Sequence, residues 1–222
     1  MNIAPSSPEK KRLQVLWQYE VLDTVPEEVF DDLTELAARI CEAPIALISL
    51  VDEKRQWFKS RIGLTMQETS RDVSFCAHAI RQPDLFVIPD ATQDERFSSN
   101  PLVVSDPKIR FYAGAPLVTP DGHALGTLCV LDTVPRELRH EQKQALRVLA
   151  RHVMSQLELR RHARELAATR KARDTAAEKL ESALTEVAKL KGVLKSLAKP
   201  KVARFRKPAV RRSKPRTTAR RK

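Results

Sequence analysis

Two pairs of strand-like segments in the middle of the chain constrain its fold more than any other feature. In the first pair, residues 45–51 carry a single hydroxylic side chain, Ser49, among apolar ones, which is typical of a strand covered on both faces. Residues 52–54 are a polar turn, and residues 55–60 are predicted to return as the antiparallel neighbour. Such a buried hairpin needs further elements on both sides of the sheet.

The second pair is joined by a stronger turn signal. Residues 113–118 and 124–131 are predicted strands, and the Pro-Asp-Gly sequence at 120–122 favours a tight hairpin between them. Between the two hairpins the sequence predicts a short helix at 74–80 and a short strand at 85–88. The predicted sheet is therefore antiparallel.

Longer helices are predicted on either side of the hairpins. A first helix is expected at 9–19, and a second follows Thr24, whose hydroxyl is suited to cap it. Apolar residues at helical spacing are predicted to pack: Leu13, Leu16 and Trp17 in the first helix and Val29, Phe30, Leu33, Leu36, Ala37 and Ile40 in the second. The last helix is predicted to start at 135–137 and to pack through Leu146, Leu149, Val153 and Leu157.

The order of these segments resembles the GAF family of small-molecule sensory domains. The resemblance is carried by Pro44–Asp52, Arg55–Ser60, Ser74–Ile80, Ile109–Leu117 and Gly126–Asp132. It implies an α+β fold in which a GAF-type antiparallel sheet is flanked by helices. It also implies a domain that binds a ligand and controls other modules, so the chain is expected not to be an enzyme itself.

Four regions are predicted along the chain. Residues 1–8 form a flexible arm and residues 9–160 the GAF-like sensory domain. Residues 161–198 form a coiled-coil helix, and residues 199–222 form a disordered basic tail.

The resemblance implies a ligand pocket on one side of the sheet. Its walls would come from residues 74–80, 90–97 and 110–114, and the long polar segment 90–108 has the length of a ligand wall or lid. The candidate ligand-binding residues are Phe75, Cys76, His78, Arg96, Phe97, Arg110, Phe111 and Tyr112. An apolar, aromatic cavity with a few polar groups is what small-molecule binding requires. The alternative is that the aromatic residues simply fill the core.

Arg110 has two interpretations. Its planar fork could hold an anionic ligand through two hydrogen bonds, a geometry that lysine does not offer. The alternative is a structural pair with Asp90 or Asp132.

Three cysteines allow one reactive hypothesis. Cys76 and His78 would suit thiol chemistry if a third group oriented the imidazole, whereas a buried structural thiol is the simpler interpretation. Cys41 and Cys129 are predicted to be core cysteines. Their wide spacing predicts neither a disulfide framework nor a metal site.

The chain departs from three ligand chemistries known in GAF proteins. Ala77 separates Cys76 from His78, whereas bilin-binding members commonly place histidine directly after the cysteine. The cysteine spacing differs from that of free methionine sulfoxide reductases, and the signature of cyclic-nucleotide-binding members has no convincing match. The ligand and any cofactor are therefore left unassigned.

The C-terminal helix carries a heptad seam. Nine of its twelve seam positions are apolar: Leu159, Ala163, Leu166, Ala177, Leu180, Leu184, Val187, Leu194 and Ala198. Arg170, Arg173 and Lys191 interrupt it. The pattern predicts a two-stranded coiled coil and a homodimer, and the alternative is a solvated single helix.

The formal charge of +12 lies at the C-terminal end. Residues 199–222 contain no acidic residue and twelve basic ones, which are the candidate nucleic-acid-binding residues: Lys199, Lys201, Arg204, Arg206, Lys207, Arg211, Arg212, Lys214, Arg216, Arg220, Arg221 and Lys222. Such a segment binds polyanions by releasing counterions. A solubilising tail and an anionic membrane surface are the alternatives.

No apolar run reaches the length of a membrane span, and no secretory signal is evident, so a cytoplasmic location is expected. The favoured function is a cytoplasmic signalling protein that senses an unidentified small molecule, dimerises and offers its tail to nucleic acid or another polyanion. The alternatives are a ligand-free GAF scaffold that binds nucleic acid and a thiol-dependent redox enzyme using Cys76.

Overall fold

The structure, a computed structural model, describes residues 7–197. Its helices are α1 Ser7–Gln18, α2 Glu28–Cys41, α3 Phe75–Ala79, α4 Pro101–Val104 and α5 His140–Leu197, with a 3₁₀ turn at Arg71–Val73. Its strands are β1 Ile45–Val51, β2 Arg55–Ile62, β3 Glu68–Ser70, β4 Phe86–Ile88, β5 Phe111–Val118 and β6 Ala124–Asp132. The chain divides into two compact units, one ending at Ala168 and the other beginning at Thr169.

The sheet belongs to the first unit and has six strands in the order β3-β2-β1-β6-β5-β4. Every neighbouring pair is antiparallel. Both predicted hairpins are present, and Gly122 takes a φ of +82° in the turn before β6, a conformation that glycine adopts at little cost. The predicted α+β fold, an antiparallel sheet with flanking helices followed by a long C-terminal helix, is confirmed.

Strand β1 lies between β2 and β6 and is buried along its whole length. Because side chains alternate along a strand, Ala46, Ile48 and Leu50 pack on one face of the sheet, whereas Ile45 and Leu47 pack on the other. Burying each Leu or Ile contributes about 1.5–3 kcal/mol. The continuous apolar run in the sequence is therefore what a strand between two cores requires.

Helices α1, α2 and α5 cover the first face, which we call the helix face. The four residues predicted to pack from α5 are all buried there: Leu146, Leu149, Val153 and Leu157. In α2, Phe30 and Ala37 are buried as predicted, but Leu36 is 45% exposed and Thr34 is buried instead. Thr34 is tolerated in the core because its hydroxyl donates to the Phe30 carbonyl at 2.8 Å.

Two helices begin later than predicted. Thr24 does not cap α2, because its hydroxyl donates to the Val21 carbonyl at 2.7 Å and accepts from Lys59 Nζ at 3.0 Å; the helix begins at Glu28. Helix α5 begins at His140 rather than at 135–137. The Arg136 side chain pairs with Asp132 and its N–H donates to the Pro89 carbonyl at 3.1 Å, so these residues are held in an extended connection.

Candidate functional site

The second face of the sheet, which we call the site face, is covered by α3 and the segment around α4. Helix α3 is only five residues long and begins at a capping hydroxyl, since Ser74 Oγ accepts from the Ala77 N–H at 3.0 Å. Ser74 also donates to Gln56 Oε1 on β2. These two bonds fix the start of the helix on the sheet and direct Phe75 and Cys76 into the core.

Four aromatic rings form a cluster on this face. Phe75 stacks on Phe97 with ring centroids 4.2 Å apart, and on Tyr112 with centroids 5.2 Å apart. Phe86 lies 6.0 Å from Tyr112 and 6.3 Å from Phe97. Offset or tilted contacts of this kind each contribute about 0.5–1.5 kcal/mol beyond burial. Phe75, Phe97 and Tyr112 were among the predicted ligand-binding residues, and the structure brings them together.

Arg96 and His78 lie at the edge of this cluster. The Arg96 guanidinium is 4.9 Å from the Phe86 ring centroid and 5.4 Å from that of Phe97, and it pairs with Asp94 at 2.6 Å. His78 is half-buried and meets the Phe97 ring edge-on at 4.9 Å. Partial burial lowers the pKa of His78, and the positive charges of nearby Arg81 and Arg96 lower it further. The imidazole at this rim is therefore held towards its neutral form.

Arg110 holds the loop around α4. Its Nη1 donates to the Val103 carbonyl at 2.8 Å and to the Ile109 carbonyl at 3.1 Å. The structure shows neither of the carboxylate pairs that the sequence offered, because Asp132 pairs with Arg136 and Asp90 accepts from Thr92. This arginine fixes a site wall.

Phe111 is not brought into the site. It is fully buried on the helix face, in the cluster that contains Phe30 and Leu146. The physical reason is the alternation of β5, which sends Phe111 to one face and Tyr112 to the other.

A small cavity lies beneath the aromatic cluster. Its volume is 20 Å³, about enough for one water molecule. Its walls include Phe75, Cys76 and Tyr112, together with residues that sequence reasoning did not select: Leu47, Phe58, Ile109, Cys129 and Leu131. The alternation of β1 and β6 was the signal that could have found Leu47, Cys129 and Leu131. A ligand larger than water must displace side chains to enter.

The site face also contains two thiols in contact. Cys76 Sγ lies 3.8 Å from Cys129 Sγ, and the Tyr112 hydroxyl donates to Cys76 Sγ at 3.4 Å. Burial raises the pKa of the Cys76 thiol, but hydrogen bonds from Cys129, Thr127 and Tyr112 outweigh it and leave that pKa below its ordinary value. Burial and the neighbouring Cys76 raise the pKa of Cys129 well above its ordinary value. The structure does not show the alternative thiol–imidazole pair, since the His78 ring packs on Phe97 and the sulfur in contact with Cys76 is that of Cys129.

The described residues contain neither a candidate metal site nor a membrane-spanning helix. Within residues 7–197, no group of three or more His, Cys, Asp or Glu side chains could hold a metal ion. In the same range no helix has both the length and the apolar character needed to cross a membrane. The twelve basic residues of 199–222 lie outside the residues that the structure describes.

The model of the GAF domain family matches residues 25–157. Among solved structures, the fold is similar to the GAF domain of an Acinetobacter phosphoenolpyruvate-protein phosphotransferase. The sequence identity is 16% and the TM-score is 0.51, and the match covers 69% of this chain and 95% of that one. It is also similar to free methionine-R-sulfoxide reductase from Neisseria meningitidis in complex with its substrate, with 18% identity, a TM-score of 0.51, and coverage of 73% and 98%. At these identities the two structures support the fold alone.

A much higher identity links the chain to a cyclic di-GMP phosphodiesterase of Pseudomonas aeruginosa. The two are 45% identical over 150 residues, which is 67% of this chain and 26% of the relative. The prediction that the chain is not an enzyme is contradicted by this comparison, because the relative carries the name of an enzyme. The chain spans about a quarter of the relative's length, and the phosphodiesterase named is the whole relative.

Proposed function

The chain belongs to the GAF domain family, and we propose that its folded domain is a sensory module that regulates the hydrolysis of cyclic di-GMP. GAF domains are signalling domains that bind small molecules. The observation that carries the proposal is the 45% identity over 150 residues with a cyclic di-GMP phosphodiesterase.

The candidate site has a short connection to α5 through which binding would be transmitted. The Arg110 side chain anchors the wall of the site. The Arg110 backbone N–H donates to the carbonyl of Asp132, at the end of β6, at 2.8 Å. The Asp132 carboxylate holds Arg136, which lies in the segment leading to His140 at the start of α5. A ligand that moved Arg110 would therefore act on α5 through two contacts. Regulation then requires that the ligand bind two arrangements of this connection with different affinity.

The ligand is expected to open the site. A cavity of 20 Å³ does not hold an organic molecule, so the aromatic cluster must rearrange around it. Arg96 is exposed and lies over two of the rings, and its displacement would uncover Phe86 and Phe97.

A chimera tests the regulatory role directly. The 150-residue segment of the Pseudomonas aeruginosa relative that matches this chain would be replaced by the corresponding segment of this chain, and cyclic di-GMP hydrolysis measured. We expect hydrolysis to persist and to change when the inserted segment carries Arg110→Ala. The matched control is Arg39→Ala, an exposed arginine on α2 away from the site face. Equal hydrolysis by all chimeras and by the relative with the segment deleted would contradict the proposal.

A second candidate is a GAF scaffold that binds no ligand, and the nearly filled cavity favours it. Native mass spectrometry of full-length chain purified from its own cells separates the two. A bound small molecule, lost on denaturation and diminished in Phe75→Ala, supports sensing. A mass equal to that of the bare chain in every preparation supports the scaffold.

We further propose that the chain forms a homodimer through the C-terminal part of α5. In the second unit, the apolar side chains of the heptad seam are exposed in the single chain: Leu180, Leu184, Val187 and Leu194. A parallel partner would cover them. Light scattering should give a dimer for the full chain and a monomer for Leu180→Lys, while Ser182→Lys, outside the seam, stays dimeric. Dimers of all three chains would contradict this seam.

The basic segment 199–222 is proposed to bind nucleic acid without sequence preference. Twelve basic residues without an acidic one support this, and they lie outside the described part of the chain. If about six charges engage duplex DNA, affinity falls by about a thousandfold between low and moderate salt. Gel shifts should disappear when the chain is truncated after Ala198. An equal shift by the truncated chain would contradict the proposal.

A further inference from the structure

Two thiols far apart in the sequence meet in the core of the site face. Cys76 is in α3 and Cys129 is in β6, and they are 2% and 0% exposed. Their sulfur atoms are 3.8 Å apart, within the distance of a hydrogen bond between a thiol and a sulfur. The regulatory role proposed above makes no use of either thiol.

We propose that Cys76 and Cys129 are a redox pair that hydrogen peroxide converts into an intramolecular disulfide. The bond would join α3, which carries Phe75 and His78, to β6, which ends at Asp132 next to the connection to α5. Oxidation would therefore change the geometry of the candidate site from within the core. This inference rests on the positions of the two sulfurs and does not depend on the proposed function.

The distance between the sulfurs is one that small movements can close. A disulfide bond is about 2.05 Å long, so the sulfurs must approach by about 1.8 Å. Helix α3 has five residues and is the more easily moved partner, because β6 is hydrogen-bonded on both sides, to β1 and β5. The 20 Å³ cavity touches both cysteines and supplies free volume beside them.

The surroundings favour a thiolate on Cys76. The Tyr112 hydroxyl donates to its sulfur at 3.4 Å and lies 3.4 Å from Thr127 Oγ1. Ser49 Oγ, on the same face of the neighbouring strand β1, is fully buried, and its hydroxyl is a further group that lowers the pKa of Cys76. Hydrogen bonds from Cys129, Thr127 and Tyr112 oppose the effect of burial, which raises the pKa of Cys76, and leave that pKa below its ordinary value. Cys76 is therefore the attacking sulfur and Cys129 the resolving one.

The chemistry balances with hydrogen peroxide as the oxidant. The Cys76 thiolate attacks one peroxide oxygen, the O–O bond breaks, and the hydroxide that leaves takes up the proton released from the thiol to give water. The Cys129 sulfur then attacks the sulfur of the sulfenic acid. The S–S bond forms, the S–O bond on Cys76 breaks, and the leaving hydroxide takes up the Cys129 thiol proton to give a second water. Two thiols are oxidised and one peroxide is reduced to two waters. A small thiol reductant reverses the reaction by thiol–disulfide exchange.

The third cysteine provides an internal control. Cys41 is buried on the helix face, in a different cluster from Cys76 and Cys129. Burial raises the pKa of Cys41 to about 11, with smaller opposing contributions from Arg136 and Arg139. A lone, protonated thiol of this kind is expected to stay reduced when the pair oxidises.

The test is a count of thiols after peroxide treatment of the folded full-length chain. The chain is treated with hydrogen peroxide, the remaining peroxide is removed, and the chain is denatured in the presence of a maleimide. Its mass, measured by mass spectrometry, gives the number of maleimides attached. We expect one maleimide per chain instead of three, and a digest containing one cross-linked pair of peptides, with Cys76 joined to Cys129. A reductant added before denaturation should restore three maleimides.

Cysteine-to-serine variants identify which two sulfur atoms form the disulfide. Cys41→Ser should form the same cross-link, whereas Cys76→Ser and Cys129→Ser should form none. If a variant fails to fold, the peptide map of the peroxide-treated chain without substitutions decides by itself which cysteines are joined. Three labelled thiols after peroxide, a cross-link through Cys41 or between two chains, or a sulfinic acid on Cys76 in place of the disulfide would overturn the proposal.

Discussion

Substituting Glu27 by Gln tests how strongly the segment before α2 is tied to the sheet and to α5. Glu27 Oε1 accepts from Lys59 Nζ on β2 at 2.6 Å and from Arg160 Nε on α5 at 2.9 Å. The Lys59 side chain is 0% exposed, whereas that of Glu27 is 32% exposed. The substitution keeps the shape of the side chain and removes its charge. It leaves a fully buried ammonium without a counter-ion.

The expected cost follows from the remaining contacts of Lys59. Its ammonium keeps two neutral acceptors, the Val25 carbonyl at 2.8 Å and the Thr24 hydroxyl at 3.0 Å. Removing one partner of a buried pair costs about 3–5 kcal/mol, and the partial exposure of Glu27 together with these acceptors reduces our expectation to about 2–3 kcal/mol. For a folded unit of this size that corresponds to a fall in Tm of roughly 4–12 °C.

Urea unfolding followed by tryptophan fluorescence in a Trp17→Phe background measures this cost. Trp57 is 5% exposed and lies on the same strand as Lys59, so its emission reports the unfolding of the sheet. Glu28→Gln, at the exposed first residue of α2, is the matched control and should change the free energy of unfolding little. In a Lys59→Met background, Glu27→Gln should cost much less, because no unpaired ammonium is left behind.

The same variant has a defined dependence on pH. Burial raises the pKa of Glu27, but Lys59 and Arg160 outweigh it and hold the pKa below its ordinary value of 4.5. The stabilisation is therefore present above that ordinary value and is lost as the pH falls through the lowered pKa of the folded state. The difference between wild type and Glu27→Gln should shrink below about pH 4.5. A cost of less than about 0.5 kcal/mol at neutral pH, or an equal cost in the Lys59→Met background, would refute the reasoning.

Two further substitutions test packing and capping. Gly126→Ala should destabilise the sheet by about 1–3 kcal/mol, because the added Cβ would lie 1.9 Å from the backbone oxygen of Ser49. Gly192→Ala is the control and should not destabilise the chain, because no atom lies within 4 Å of the added Cβ. Equal urea midpoints for the two variants would contradict this prediction. Ser74→Ala should cost about 2–4 kcal/mol, because it removes the cap on the Ala77 N–H and leaves the buried Gln56 Oε1 without its donor. Unchanged thermal unfolding would contradict this.

The sequence alone was enough to predict the two hairpins of the sheet, but not strand β3 or the pairing of β1 with β6. The buried strand at 45–51 and the Pro-Asp-Gly turn at 120–122 are local patterns, and both are found where they were expected. The helix at 74–80 was also predicted, and the cap at Ser74 shows why it starts there. Alternation along β5 could have excluded Phe111 from the site, since Phe111 and Tyr112 are neighbours in a strand.

The helix starts were predicted less well because groups outside each helix engage the residues that were expected to begin it. Thr24 carries the chemistry of a cap, but Lys59, 35 residues later, takes its oxygen. At the predicted start of α5, the Arg136 side chain pairs with the Asp132 carboxylate, and the helix begins only at His140. Nothing in the local sequence indicates Lys59 as the partner of Thr24, or the Pro89 carbonyl as the partner of the Arg136 backbone N–H.

Residue order and spacing were thus sufficient for the two hairpins and the short strand at 86–88, since these depend on side-chain alternation and on turns a few residues long. They were insufficient for β3 and for the pairing of β1 with β6, which joins segments about 80 residues apart. They were also insufficient for the contents of the site. The contact between Cys76 and Cys129, the loop contacts of Arg110 and the small size of the cavity all arise where segments far apart in the chain pack together. Those properties depend on how side chains share a common volume, which no single segment specifies.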